Sequence, residues 1–198
     1  MLTELQAAKL DRRFELLDAD GDGFITAADY DQTASSVCEA FDYPQGSPQH
    51  ERVHMTFLTM WDKLSRKMDG KHTGRISRDQ FLSSCADSIV ERGGGYDRNI
   101  KPVVDAVFDI IDADADGVLD VDELARWFSA YGVCEDDAQR AFTALDRNGD
   151  GVLSRNEVHE AVEDYYTSDE PRAHGNKIYG PLQMTEAAAQ PKPKSAAR

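Results

Sequence analysis

Asp18-Ala19-Asp20-Gly21-Asp22-Gly23-Phe24-Ile25-Thr26-Ala27-Ala28-Asp29 is the stretch on which the fold turns. Aspartates alternate through its first half, a glycine holds the sixth place, an aliphatic residue the eighth and an acid the twelfth. The pattern returns twice. Asp112-Ala113-Asp114-Ala115-Asp116-Gly117 runs on to Leu119 and Glu123, and Asp146-Arg147-Asn148-Gly149-Asp150-Gly151 to Leu153 and Glu157. One such turn alone would mean little, because Asp and Gly cluster in turns for backbone reasons. Here each copy is flanked by apolar residues at helical spacing: Leu10, Phe14 and Leu17 before the first, Val104, Val107, Phe108 and Ile111 before the second copy, Ala138, Phe142 and Leu145 before the last. Leu124, Trp127 and Phe128, then Val158, Val162 and Tyr165, continue the stripe on the far side. The repeated unit is helix, anionic loop, helix.

A hard divalent cation explains the spacing. Calcium takes six to eight oxygens, and a twelve-residue loop supplies them from side chains at positions 1, 3 and 5, a backbone carbonyl at 7, a water-mediated contact at 9 and a carboxylate at 12, with glycine at 6 permitting the sharp turn. These strings match the EF-hand loop. The candidate calcium ligands are Asp18, Asp20, Asp22, the carbonyl of Phe24, Thr26 and Asp29; Asp112, Asp114, Asp116, the carbonyl of Val118, Asp120 and Glu123; and Asp146, Asn148, Asp150, the carbonyl of Val152, Ser154 and Glu157.

The aliphatic eighth residues, Ile25, Leu119 and Leu153, are where paired loops join in a short antiparallel bridge, so an even number of units is expected. The missing partner of the first loop is Asp69 to Gln80, with Gly74 at position 6, Ile76 at position 8, and Phe57, Trp61, Leu64 and Met68 striping the preceding helix. Its ligands are wrong. Lys71 and Thr73 occupy positions 3 and 5, Arg75 sits at 7, and Gln80 replaces the closing acid. A lysine aimed at the cavity adds like charge, and a neutral amide cannot replace a bidentate anion. This loop is expected to bind no calcium and to serve as structural partner of the first.

Composition agrees with a cation-binding globular protein. The 198-residue chain carries 22 Lys and Arg against 37 Asp and Glu, a formal charge of -15, which repels nucleic-acid backbones and anionic membranes and leaves cations as the natural partners. At 40% hydrophobic, with eight Phe, seven Tyr and two Trp, the chain has enough to bury to offset its chain entropy. Cys38, Cys85 and Cys134 form no C-x-x-C pair and read as free thiols in a reducing compartment. With no signal-like or membrane-length apolar run, a cytoplasmic protein is the default.

The loops begin at Asp18, Asp69, Asp112 and Asp146, spaced 51, 43 and 34 residues apart. The long first gap holds Tyr43-Pro44-Gln45-Gly46-Ser47-Pro48, a turn that ends one helix before another begins near Gln49. The expectation is an all-α fold: four EF-hand helix-loop-helix units in two pairs packed into one compact globule, with short two-residue β bridges between paired loops. The pairs should occupy 1–91 and 100–167, joined by a Gly-rich linker over 92–99. A C-terminal segment, 168–182, too apolar to be idle, should pack on the globule, and a disordered tail is expected over 183–198.

The long first gap, the weakened second loop and the ending Gly175-Asn176, Tyr179-Gly180-Pro181-Leu182 together resemble the sarcoplasmic calcium-binding proteins and their calerythrin-like bacterial relatives, over about Leu5 to Leu182. That resemblance implies one globule in which three loops bind while the second is silent. It also implies that the ending tucks against the helices, filling a groove that a sensor would offer to targets. Asp29 departs from the usual Glu at position 12; one methylene shorter, it reaches an ion less readily and makes magnesium an admissible guest in the first loop.

The leading functional expectation is a monomeric calcium buffer or transporter with three sites and with exchange of magnesium for calcium. The alternative is a calcium sensor exposing a hydrophobic groove to a protein target; only Met55, Met60, Met68 and Met184 follow Met1, few for the adaptable grooves that sensors use. An enzyme is disfavoured, because no His-Glu-x-x-His, Gly-x-Ser-x-Gly or phosphate loop is present. His50 and His54 lie four apart and share a helix face, but without a further ligand in view they read as surface histidines beside a core stripe rather than a zinc site.

Overall fold

The apolar stripes become helices where their spacing predicts. The computed structural model describes residues 2–90 and 95–182. α1 (Glu4–Leu17), β1 (Phe24–Thr26) and α2 (Ala27–Ala40) form the first unit, and α3 (Pro48–Met68), β2 (Arg75–Ser77) and α4 (Arg78–Val90) the second. After α5 (Gly95–Asn99) come α6 (Lys101–Ile111), β3 (Val118–Leu119) and α7 (Val121–Ser129), then α8 (Glu135–Leu145), β4 (Leu153–Ser154) and α9 (Arg155–Thr167), and a 3-10 turn at His174–Lys177.

The eighth loop residues pair as expected: Ile25 lies opposite Ile76, and Leu119 opposite Leu153, all four essentially inaccessible. One expectation is corrected. The first bridge spans three residues, with Phe24 facing Ser77 and Thr26 facing Arg75, rather than two. The Arg75 guanidinium lies 4.4 Å from the centre of the Phe24 ring, a diagonal cross-strand contact that extends the ladder.

In the long first gap, Ser47 caps α3 by accepting the His50 N–H at 3.2 Å, and Pro48 occupies the first turn, where its missing N–H is harmless. Within the expected Gly-rich linker over 92–99, Gly95–Asn99 is a short helix. Asn99 Nδ2 donates to the Gly95 carbonyl at 2.9 Å, and the Tyr96 hydroxyl donates to the carbonyl of His159 at 3.0 Å, so local bonds and an anchor on α9 give this segment the order its glycines do not. Gly93 and Gly94, like the tail expected over 183–198, lie outside the described residues.

The two halves share one core. α2 packs on α7, α1 on α9 and α3 on α6, and the Phe57 and Trp127 rings meet across the halves at 6.4 Å. Trp61 and Trp127 are both buried, as expected of core residues, and the three cysteines are free thiols.

The C-terminal segment lies across α8 and α9. Asn176 Nδ2 donates to the carbonyls of Glu170 and Pro171 at 3.1 and 3.0 Å, Arg12 Nε to the carbonyl of Tyr179 at 3.2 Å, and Ile178 is buried. Lys9, itself buried, donates from Nζ to the carbonyl of Ser168 at 2.9 Å, capping the C-terminal end of α9; burial lowers its ammonium pKa to about 8, against the pull of Asp164 and Asp169. Gly175 is required by close approach: a Cβ there would sit 2.1 Å from the Ala161 carbonyl oxygen and 2.9 Å from the Tyr165 nitrogen, both backbone. Gly175→Ala is therefore expected to lift the segment off α9, lowering stability by about 2 kcal/mol in a urea melt and admitting limited proteolysis within 168–182. Unchanged stability and protection would show that the close approach is dispensable.

Candidate metal-binding loops

All four loops share one backbone. Their sixth residues, Gly23, Gly74, Gly117 and Gly151, have φ between 77° and 89°, and their fourth residues, Gly21, His72, Ala115 and Gly149, are also left-handed, at 52° to 73°. The fourth position escapes the sequence reading, although glycine in two of the four loops signals it. In the second and third loops a residue with a Cβ carries the strain instead.

Within each loop the acids hold the backbone before any ion is considered. The first residue accepts the N–H of the sixth: Asp18 from Gly23 at 3.0 Å, Asp69 from Gly74 at 2.7 Å, Asp112 from Gly117 at 3.1 Å and Asp146 from Gly151 at 3.0 Å. The third and fifth residues repeat the trick two residues on, as where Asp22 accepts the Phe24 N–H at 2.8 Å and Asn148 the Asp150 N–H at 2.8 Å. These are Asx turns, which fold the chain around a centre toward which the side-chain oxygens gather.

The twelfth residue has two structural duties. Glu123 accepts the Ala113 N–H on one oxygen at 2.8 Å and the Asp120 N–H on the other at 3.0 Å; Glu157 does the same with Arg147 at 3.2 Å and Ser154 at 2.9 Å, and Asp29 with Ala19 at 3.0 Å and Thr26 at 2.7 Å. It thus ties the loop's start to its end while closing a capping box on the exiting helix, with the ninth residue as N-cap. Gln80 keeps one duty: its Oε1 accepts the Ser77 N–H at 2.9 Å. The second loop therefore retains its helix start without the closing charge. Thr73 fills what would be ligand space by donating to Asp69 Oδ1 at 3.1 Å or to the Arg75 carbonyl at 3.0 Å, and the N–H groups of Thr73 and Gly74 hold the Asp69 carboxyl below its ordinary value.

The other loops concentrate unneutralised charge. Oxygens of Asp18, Asp20 and Asp22 lie within 4.8 Å of one another, as do those of Asp112, Asp114 and Glu123. In the fourth loop the neutral Asn148 stands in the third place, its Nδ2 donating to Asp150 at 2.9 Å. Burial pushes the Asp18 carboxyl up, and the charges of Asp29, Asp22 and Asp20 push it further, against the Gly23 N–H. Burial also raises Glu123, with Asp120 and Asp114 adding to it against the N–H groups of Ala113 and Asp120. Glu157 goes the other way: burial opposes its charge, but the Ser154 hydroxyl and the N–H groups of Ser154, Arg147 and Asn148 hold its carboxyl low. Asp18 Oδ1 is buried and meets no partner, an orphaned anionic oxygen among other anions, which is what an ion-binding loop would offer a cation. The donor set is all oxygen, and it fits a hard divalent ion.

Helix-loop-helix units coupled two by two through their loops, with acids gathered at the loop centres, define a cation-binding class. An EF-hand family model matches residues 10–32 and 103–129, and an EF-hand domain-pair model matches 130–165; these matches leave out the second loop. Calerythrin of Saccharopolyspora erythraea is 31% identical over 167 residues, 84% of this chain and 94% of that protein. The sarcoplasmic calcium-binding protein of Perinereis vancaurica tetradentata is 30% identical over 186 residues, 91% and 99% of the two chains. Among solved structures, the coelenterazine-binding protein of Renilla muelleri, in its calcium-loaded apo form, superposes with a TM-score of 0.75 at 28% identity, covering 91% of this chain and all of that one. The chain belongs to the EF-hand family of calcium-binding proteins, alongside calerythrin and the sarcoplasmic calcium-binding proteins.

Proposed function

We propose that this protein is a calcium buffer that takes up three ions, one each in the loops beginning at Asp18, Asp112 and Asp146, while the loop beginning at Asp69 stays empty and braces the first. Twelve carboxylates stand at the eighteen ligand positions, four in the first loop, five in the third and three in the fourth. The shorter Asp29 makes the first loop the one in which magnesium competes. The observation that carries buffering over sensing is the C-terminal segment: Gly175, Asn176 and Ile178 are buried against α8 and α9, so the chain covers with its own residues a face that a sensor would present to a target. Among the described residues the exposed large apolar side chains are Met55 and Leu58, both on α3. A cytoplasmic, monomeric, non-catalytic role accords with this reading, and no described helix is long and apolar enough to cross a membrane.

Calorimetric titration of the demetallated protein, with and without millimolar magnesium, tests the proposal. Three equivalents of calcium are expected, with magnesium weakening one of them; four strong sites, or none, would refute it. Calcium-dependent retention on a phenyl resin would favour the sensor, most of all if removing residues 168–182 increased it.

A second reading rests on a different observation. A cavity of about 590 Å³ lies where the two halves meet, lined by Tyr30, Met60, Phe81, Val104, Tyr166 and Tyr179 together with the Arg13 guanidinium, which stacks 4.6 Å from the Tyr179 ring centre. The structural neighbour from Renilla muelleri is a coelenterazine-binding protein. A carrier role for a small aromatic ligand is tested by whether coelenterazine quenches Trp61 and Trp127 saturably; a linear, unsaturable response would end this reading and leave the buffer untouched.

A further inference from the structure

Away from the loops, the last turn of α2 meets the start of α3 in a cluster of different chemistry. Cys38 projects from α2, and His50 and His54 from one face of α3; one ligand atom from each lies within 4.8 Å of the others. The two imidazole rings stack with centres 4.5 Å apart. Cys38 is buried, and both histidines are half-buried. His54 Nδ1 is 3.0 Å from Asp31 Oδ1 on α2, a bond that the neutral ring makes as its Nδ1–H tautomer. In that tautomer Nε2 is the nitrogen with the lone pair, and Nε2 is buried with no hydrogen-bond partner. A carboxylate fixing one ring nitrogen so that the other can bind a metal is the usual support of a histidine ligand.

We propose that Cys38 Sγ, His54 Nε2 and a ring nitrogen of His50 form a zinc site, with Asp31 as the positioning residue. A thiolate and two imidazoles are soft and borderline donors that select Zn²⁺ over the hard Ca²⁺ of the loops. Tetrahedral bonds of about 2.0–2.3 Å put such ligands roughly 3.3–3.6 Å apart, so the present cluster closes by on the order of 1 Å, a side-chain adjustment. Three protein ligands leave a fourth position for water, and the adjoining surface cleft, lined by Ser35, Glu39, Asp42 and Tyr43, gives the ion a path in. On binding, the Cys38 thiol gives its proton to solvent as the Zn–S bond forms, so one proton leaves per ion. The ion would clasp α2 to α3 and so tie the exit of the first loop to the entrance of the second. This proposal is independent of the calcium reading.

The test is Zn²⁺ titration of the full chain in saturating calcium, which keeps the EF-hand loops filled, followed by Co²⁺ substitution. One equivalent of Zn²⁺ is expected, with the intense visible bands of tetrahedral Co²⁺ and a thiolate-to-cobalt charge-transfer band. Cys38→Ser and His54→Ala should each weaken Zn²⁺ by more than about 100-fold, and Asp31→Asn by about 10- to 100-fold, with calcium stoichiometry unchanged. His50→Gln, at a half-buried ring, decides the matter if Cys38→Ser fails to fold. Absence of Zn²⁺ uptake by the calcium-saturated wild type, an octahedral cobalt spectrum, or uptake undiminished in His50→Gln would overturn the site. A failure of the calcium reading would show separately, as calcium stoichiometry in the same samples.

Discussion

Stripping the divalent ions with a chelator should lower the melting temperature of this protein by roughly 20 °C. Each site filled at a hundred times its dissociation constant adds about 2.7 kcal/mol to the folded state, which alone holds the preformed loops, so three sites contribute about 8 kcal/mol. For a chain of this size each kcal/mol moves the midpoint by about 2–4 °C. The direction follows from the charge at the loop centres. Without a cation, Asp18, Asp20 and Asp22 face one another within 4.8 Å, Asp18 Oδ1 has no partner, and the same crowding recurs around Asp112, Asp114 and Glu123. A divalent guest turns that repulsion into attraction. Differential scanning calorimetry with calcium and with chelator provides the measurement, and coincident transitions would remove the basis for three occupied loops.

Glu123→Gln is expected to weaken calcium at the third loop by about 100-fold or more while leaving the helices intact, because affinities across EF-hand loops are set largely by the count of anionic ligands. The control for its structural innocence is built into the chain. Gln80, at the twelfth place of the second loop, accepts the Ser77 N–H at 2.9 Å and begins α4 as well as the acids begin their own helices. A glutamine at 123 keeps the capping bond to Asp120 and loses the anion. Titration of the variant should show two strong equivalents with an unchanged far-ultraviolet spectrum; three strong equivalents would mean that Glu123 does not close the site.

The loop backbones were legible because their chemistry is local: twelve consecutive residues hold the turn, and Ile25, Ile76, Leu119 and Leu153 sit where the loops pair. The helices were legible from their stripes. What escaped depends on contacts distant in sequence. α5 forms where glycines argue against it because Tyr96 is anchored by His159, 63 residues away. The requirement for glycine at 175 comes from the backbone of Ala161 and Tyr165, which no local pattern encodes. His50 and His54 were visible as a pair, but Cys38 joins them only because the Tyr43 to Pro48 turn folds α3 back along α2, and the role of Asp31 is invisible until that hairpin exists.

The first and last helices are sewn together. Lys9 and Arg12 of α1 bond the carbonyls of Ser168 and Tyr179, and the Tyr165 hydroxyl donates to the carbonyl of Lys9. α1 leads into the first loop and α9 leads out of the last, so this seam is the route by which a tilt imposed on one helix by an ion would reach the other. Thermodynamic reciprocity then requires that whatever factor occupancy of the first loop lends to the last be returned undiminished. On the proposed reading, two sites far apart in sequence would become neighbours in energy.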